Sequence, residues 1–101
     1  MTAYSQISVQ EAHELIASGD VTIVDIRDAD SYYKEHIAQA FRVDQENIAE
    51  FLQTAQKEKP LICYCYHGIS SRQAASYFAQ QGFIKVYSID GGWEAWKLNY
   101  G

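Results

Sequence analysis

Apolar positions along this chain follow two spacings in turn. Short aliphatic or β-branched runs alternate with stretches whose apolar side chains recur at the roughly 3.6-residue period of a helix. Ile7 marks a short edge strand, and Ser8-Val9-Gln10-Glu11 has the form of a capping box, with Ser8 at the N-cap and Glu11 at N3. Ala12, Leu15 and Ile16 fall on one side of the helix that follows, and Gly19 lies beyond its end. Val21-Thr22-Ile23-Val24-Asp25-Ile26 is apolar almost throughout, as in a parallel strand covered on both faces. Asp25 interrupts it. A buried carboxylate there needs local donors, which assigns it to bracing the next turn by hydrogen bonds rather than to direct chemistry.

Asp28 or Asp30 then caps a short helix running through Tyr33, and Ala40-Phe41-Arg42-Val43 reads as a brief strand. From Asp44 to Lys59 the helical period returns through Ile48, Phe51, Leu52 and Ala55, with a solvated end at Gln56-Lys57-Glu58-Lys59. Pro60 holds Lys59 extended just before Leu61-Ile62-Cys63-Tyr64, an apolar run placed as a central strand. The helix expected next spans Ser71 to Gln80, its amphipathic pattern running from Arg72 to Gln81 through Ala74, Ala75, Phe78 and Ala79, with Gly82 as its stop. Ile84 to Ile89 supplies a last strand, Asp90-Gly91-Gly92 a tight turn, and Trp93 to Leu98 a short helix whose two tryptophans close the core. Alternating strands and helices predict an α/β fold, a parallel sheet with helices on both faces.

The chemistry concentrates where the central strand meets its helix. Loops at the carboxyl edge of such a sheet are where open α/β folds place their sites, and Cys65 stands in one. The first N–H groups of the following helix lack internal partners, and Ser70 or Ser71 caps only some of them. What remains is an anion-binding cup. A sulfur anion at its mouth gains roughly 0.3 to 1 kcal/mol from the helix end, and about 2 if partly buried. Against a free-thiol pKa of about 8.5, that makes thiolate common near neutral pH, so Cys65 is the candidate nucleophile. Arg27 sits at the same edge, weighed evenly between an anion-facing role and a surface ion pair with Asp28, Asp30 or Glu35. His36 is assigned to fixing loop backbone through a ring N–H, and Cys63 reads as a small buried residue with a lesser claim to a resolving role.

Composition narrows the function classes. The 101 residues carry a formal net charge of −5 and 48% apolar residues. That is enough for the core of one domain over residues 1–101, with no basic face for a nucleic-acid backbone. No run reaches the length of a membrane span, and Met1 to Gln6 lacks the basic start and apolar core of a signal peptide, so the expected location is cytoplasmic. Two cysteines and three scattered histidines argue against a structural disulfide or zinc site.

Several cysteine chemistries use a loop of this kind. A tyrosine-phosphatase cup requires an arginine at residue 71, but Ser71 stands there and Arg72 arrives one position late, which turns its side chain by about 100°. Dithiol exchange lacks a second cysteine across C-x-x-C, and acyl transfer lacks a group to orient His67. A cup from Cys65 to Ser70 suits a smaller anion, the terminal sulfur of a persulfide. Such a species forms when thiolate attacks the outer sulfur of thiosulfate or another sulfane donor. Its cycle is a double displacement needing neither metal nor cofactor.

The residues Ile23-Val24-Asp25-Ile26-Arg27-Asp28, Tyr32 to Ala40 around His36-Ile37, Cys65 to Ser71, and Val86 to Trp96 together resemble the rhodanese family. The likeness is strongest to its single-domain bacterial members of the glycerol-3-phosphate regulon, and it runs in order along essentially the whole chain. It implies a rhodanese-like, five-stranded parallel sheet flanked by helices, and thiosulfate sulfurtransfer with Cys65 as the sulfur carrier. Cyanide would serve as the assay acceptor, and thioredoxin or another thiol as the cellular one. On this resemblance Tyr66, His67, Gly68, Ile69 and Ser70 form the cradle, Ser71 and Arg72 open the next helix, and Asp25 and Arg27 match the family's D-x-R. Glu35 and Gln39 replace glycines of the family pattern. Two other readings stay open: a small cysteine-dependent phosphatase or arsenate reductase, and a noncatalytic binding or redox-sensing module, against which the retained Cys65 counts.

Overall fold

The computed structural model describes residues 4–100; Met1-Thr2-Ala3, part of the segment read above for targeting character, lies outside them. In chain order the elements are β1 (Ser5–Ile7), α1 (Val9–Ala17), β2 (Thr22–Asp25), α2 (Ala29–Lys34), β3 (Phe41–Arg42), α3 (Ile48–Thr54), β4 (Leu61–Tyr64), α4 (Ser70–Gln80), β5 (Val86–Ile89) and α5 (Gly92–Tyr100). All five strands are parallel in the order β1-β5-β4-β2-β3. β4 therefore lies at the centre, buried along its whole length, and delivers Cys65 to the carboxyl edge of the sheet. Among the described residues no helix is long and apolar enough to cross a membrane.

The alternation of side chains along the strands divides the core in two. Ile7, Ile23, Ile62, Tyr64 and Ile89 face Ala12 of α1 and Trp93 and Trp96 of α5. On the opposite face Val24, Leu61, Cys63 and Val86 pack with Phe51 of α3 and Ala75 and Phe78 of α4. Burying one such aliphatic or aromatic side chain stabilises the fold by roughly 1.5 to 3 kcal/mol, so both layers are needed to offset the ordering of the chain.

The ends of the elements follow local chemistry. The capping box forms: Glu11 N–H donates to Ser8 Oγ at 3.1 Å and Ser8 N–H to Glu11 Oε1 at 3.0 Å. Asp28 is the N-cap of α2, accepting from Ser31 N–H at 3.1 Å. Gln39 takes φ +70, the left-handed conformation that glycine enters freely, whereas Glu35 is extended at φ −157 and uses its side chain to hold Lys97 at 2.9 Å. Three expectations are corrected. The helix placed from Asp44 to Lys59 covers only Ile48–Thr54, because Asp44 Oδ1 accepts from Glu46 and Asn47 N–H and winds the entry into a turn. α4 begins at Ser70 with Ile69 as N-cap and no side-chain cap, so neither serine serves in that role. The last strand starts at Val86, since Ile84 and Lys85 are spent in the connection.

Candidate active site

The uncapped start of α4 is closed by sulfur. Cys65 Sγ accepts from Gly68 N–H at 3.1 Å and from Ser71 N–H at 3.3 Å, with the His67 amide adding to the set. Its position just past β4 turns the side chain toward the helix N-terminus, while Gly68 reaches φ +88 to bend the loop back on itself. Ser71 is fully buried, with Oγ 3.4 Å from Cys65 Sγ and 2.7 Å from Ser88 Oγ. Burial alone would raise the Cys65 thiol. The Ser71 hydroxyl and the amides of Ser71, Gly68 and His67 outweigh it and hold the thiol below its ordinary value. Cys65 is 7% exposed, at the mouth of the cup.

The backbone of this loop is held from the β5–α5 turn. Trp93 N–H donates to Cys65 O at 2.7 Å and Glu94 N–H to Tyr66 O at 3.1 Å, so two free amides of α5 are satisfied by the loop they clamp. Gly92, at φ +56, lies so close that a Cβ there would stand 2.4 Å from Cys65 O. Reading Asp90-Gly91-Gly92 as a tight turn accounted for the bend but missed this contact, which depends on β5 lying beside β4.

Beneath the loop lies a buried charge network. Asp25 Oδ1 accepts from Arg27 N–H at 2.8 Å, the brace expected of it. Its Oδ2 accepts from Arg27 Nη2 at 2.7 Å and from Tyr64 O–H at 2.6 Å. Arg27 also donates to Glu35 O at 2.7 Å, and its guanidinium lies 4.8 Å from the Trp93 ring centre and 5.4 Å from that of Tyr66. The surface ion pair weighed for Arg27 is therefore replaced by a buried one, with side chains 2% and 0% exposed. Tyr64 carries no polar signal in its apolar run, yet its oxygen joins β4 to β2 and accepts from Ile37 N–H at 3.1 Å. Burial, then Asp25, pushes its hydroxyl pKa up.

The remaining predicted residues spread around the mouth. Tyr66 and Ile69 are exposed, as are Ser70 and Arg72 at the first turn of α4. His67 points outward, its Nδ1 3.5 Å from Glu94 Oε2, so the structure does not join it to the sulfur as a base. His36 stacks on the Tyr32 ring and donates from Nδ1 to Tyr32 O at 2.8 Å, bracing backbone. Cys63 is buried with Sγ 3.4 Å from Ser71 O, and burial pushes its thiol well up, which leaves it a packing residue. Missed from sequence are Ser88, Tyr64 and the glycine pair; each acts through a neighbour that only the strand order supplies. No cluster of metal-ligating side chains occurs among the described residues.

An amide cup around one activated sulfur also fits the comparisons with known proteins. The chain is 48% identical over 97 residues to a Coxiella burnetii protein named thiosulfate sulfurtransferase GlpE, covering 96% of this chain and 91% of that one. A protein of the same name from Shewanella oneidensis is 45% identical over 96 residues, covering 95% of each. The crystal structure of the BH2092 protein from Bacillus halodurans is similar at a TM-score of 0.80 and 32% identity, over 97% of this chain and 74% of that chain. The family profile described as rhodanese-like domain matches residues 8–99, and on this match and these identities the chain belongs to the rhodanese-like domain family.

Proposed function

We propose that this protein is a thiosulfate sulfurtransferase working through a Cys65 persulfide. The observation that carries the reading is the set of N–H groups converging on Cys65 Sγ. In the first displacement the thiolate attacks the outer sulfur of thiosulfate. A Cys65 S–S bond forms, the donor's own S–S bond breaks, and its electron pair leaves with sulfite. The terminal sulfur of the persulfide is an anion in a cup of amides and a helix end, which needs no further counter-ion. In the second displacement cyanide or a thiolate attacks that terminal sulfur, and the electron pair of the breaking bond returns to Cys65. Arg72, exposed on the first turn of α4, supplies positive charge for an anionic donor in a chain that is negative overall, whereas the Arg27 charge is balanced by Asp25. A protein thiol such as thioredoxin is the acceptor we assign in the cell.

Position 71 weighs against ester hydrolysis. A phosphatase places a guanidinium there, whereas the Ser71 side chain is buried against Ser88 and Arg72, one position later, is exposed at the surface. Incubation with thiosulfate followed by intact mass measurement should show one added sulfur, lost on treatment with cyanide and absent from Cys65→Ser. Turnover of an aryl phosphate by a protein that takes up no sulfur would overturn the assignment.

A further inference from the structure

A buried hydroxyl beside Cys65 has no part in the chemistry above. Ser88, on β5, is 1% exposed and stands opposite Cys63 in the parallel register, on the sheet face that α4 covers. Its Oγ is 2.7 Å from Ser71 Oγ, which is itself 3.4 Å from Cys65 Sγ. The three atoms form a short chain running from the sheet to the reactive sulfur.

Counting hydrogens gives the chain a preferred direction. Each hydroxyl has one hydrogen to donate. When Cys65 is a thiolate, Ser88 donates to Ser71 and Ser71 donates to sulfur, so both hydrogens have acceptors. When Cys65 is a thiol donating to Ser71, the Ser71 hydrogen must turn to Ser88. The Ser88 hydrogen then has no acceptor among the hydrogen bonds of the described residues, in a buried place where an unsatisfied hydroxyl is costly. Keeping the first direction with a thiol instead spends the Ser71 hydrogen on a neutral sulfur, a weak acceptor. Both arrangements of the thiol are poorer than that of the thiolate.

We propose that Ser88 is a positioning residue for Cys65: by donating to Ser71 Oγ it turns the Ser71 hydrogen onto the sulfur and favours its anionic form. The inference deepens the sulfurtransferase reading and rests on it for the second displacement. There the acceptor's electron pair bonds to the outer sulfur, the S–S bond breaks, and the pair settles on Cys65 Sγ, where the Ser71 hydrogen receives it. The same pair of serines thus serves the attacking sulfur and the departing one.

The test is the pH dependence of iodoacetamide alkylation at Cys65, resolved from Cys63 by fragment-ion masses of the shared peptide, in the wild type, Ser88→Ala, Ser88→Thr, Ser71→Ala and the double alanine variant. Ser88→Ala should raise the midpoint by roughly one pH unit, the scale of one hydrogen bond to a charged group, and Ser88→Thr should restore it. In the Ser71→Ala background, removal of the Ser88 hydroxyl should add no further shift. An unchanged midpoint in Ser88→Ala, an equal rise in Ser88→Thr, or a full additional shift in the double variant would each overturn the proposal. Sulfur loading of the wild type, read in parallel by intact mass, separates a failure of this inference from a failure of the sulfurtransferase reading.

Discussion

At position 92 a side chain has nowhere to go. A Cβ on Gly92 would meet Cys65 O at 2.4 Å and Gly68 N at 2.8 Å, and one on Gly68 would meet Gly91 N at 2.6 Å. Both residues hold positive φ, so the Cys65 loop and the β5–α5 turn touch backbone to backbone. Gly92→Ala should cost roughly 1 to 3 kcal/mol in backbone conformation alone, with the clash added, and should lower sulfur loading by displacing the loop. Gly19→Ala is the control: its φ is +95 but nothing lies within 4 Å, so it should carry the conformational cost and leave loading intact. Urea midpoints and intact mass after thiosulfate check the pair; equal loading by both variants would contradict the role given to Gly92. Cys65 itself was legible in the sequence, because an apolar run ending in cysteine before a Gly- and Ser-bearing loop is a local pattern. Gly92 was legible only as a bend, since the atoms that exclude a Cβ come from a loop distant in sequence.

Among the elements, those whose ends are set by near neighbours were read closely. α1 follows from a capping box written into four consecutive residues, Ser8 to Glu11. α3 is shorter than its pattern for a related reason: Ile48, Phe51, Leu52 and Ala55 carry a helical period, but the period is silent about the side-chain acceptor that competes for the first amides. Asp44 is that acceptor. The Asn47 amide first, then the Glu46 amide and Arg42, hold the Asp44 carboxyl below the ordinary carboxylate range. Its folded value thus lies below its unfolded value of about 3.9. The stability it contributes is present in full above the unfolded value and is lost as pH falls through the folded one. Asp44→Asn should therefore flatten the acid limb of a urea-midpoint profile below about pH 5 relative to wild type. A profile parallel to wild type would show that the turn draws nothing from the charge.

Across the whole molecule, the Asp25–Arg27–Tyr64 network ties together parts that the sheet alone leaves separate. It joins β2 to β4 through Tyr64, reaches the segment after α2 through Ile37 N–H and Glu35 O, and carries Tyr66 and Trp93 on the Arg27 guanidinium. The strand order, with β4 between β2 and β5, was not written in any one segment, and Tyr64 acquired its partner only through that order. Asp25→Ala strands a buried cation and should destabilise by about 3 to 5 kcal/mol, whereas Asp25→Ala with Arg27→Met, which removes both charges, should recover much of that loss. Chemical denaturation of the two variants checks this, and a double variant no more stable than the single one would mean that the pair's geometry, not its charge balance, holds the loop. One consequence reaches beyond stability. Because α4 begins on sulfur where other helices begin on oxygen, its first turn is anchored to an atom whose bonding changes twice in the cycle proposed above. Deuterium uptake at the Ser71 amide would then keep time with catalysis, quickening or slowing as the thiol is loaded and emptied.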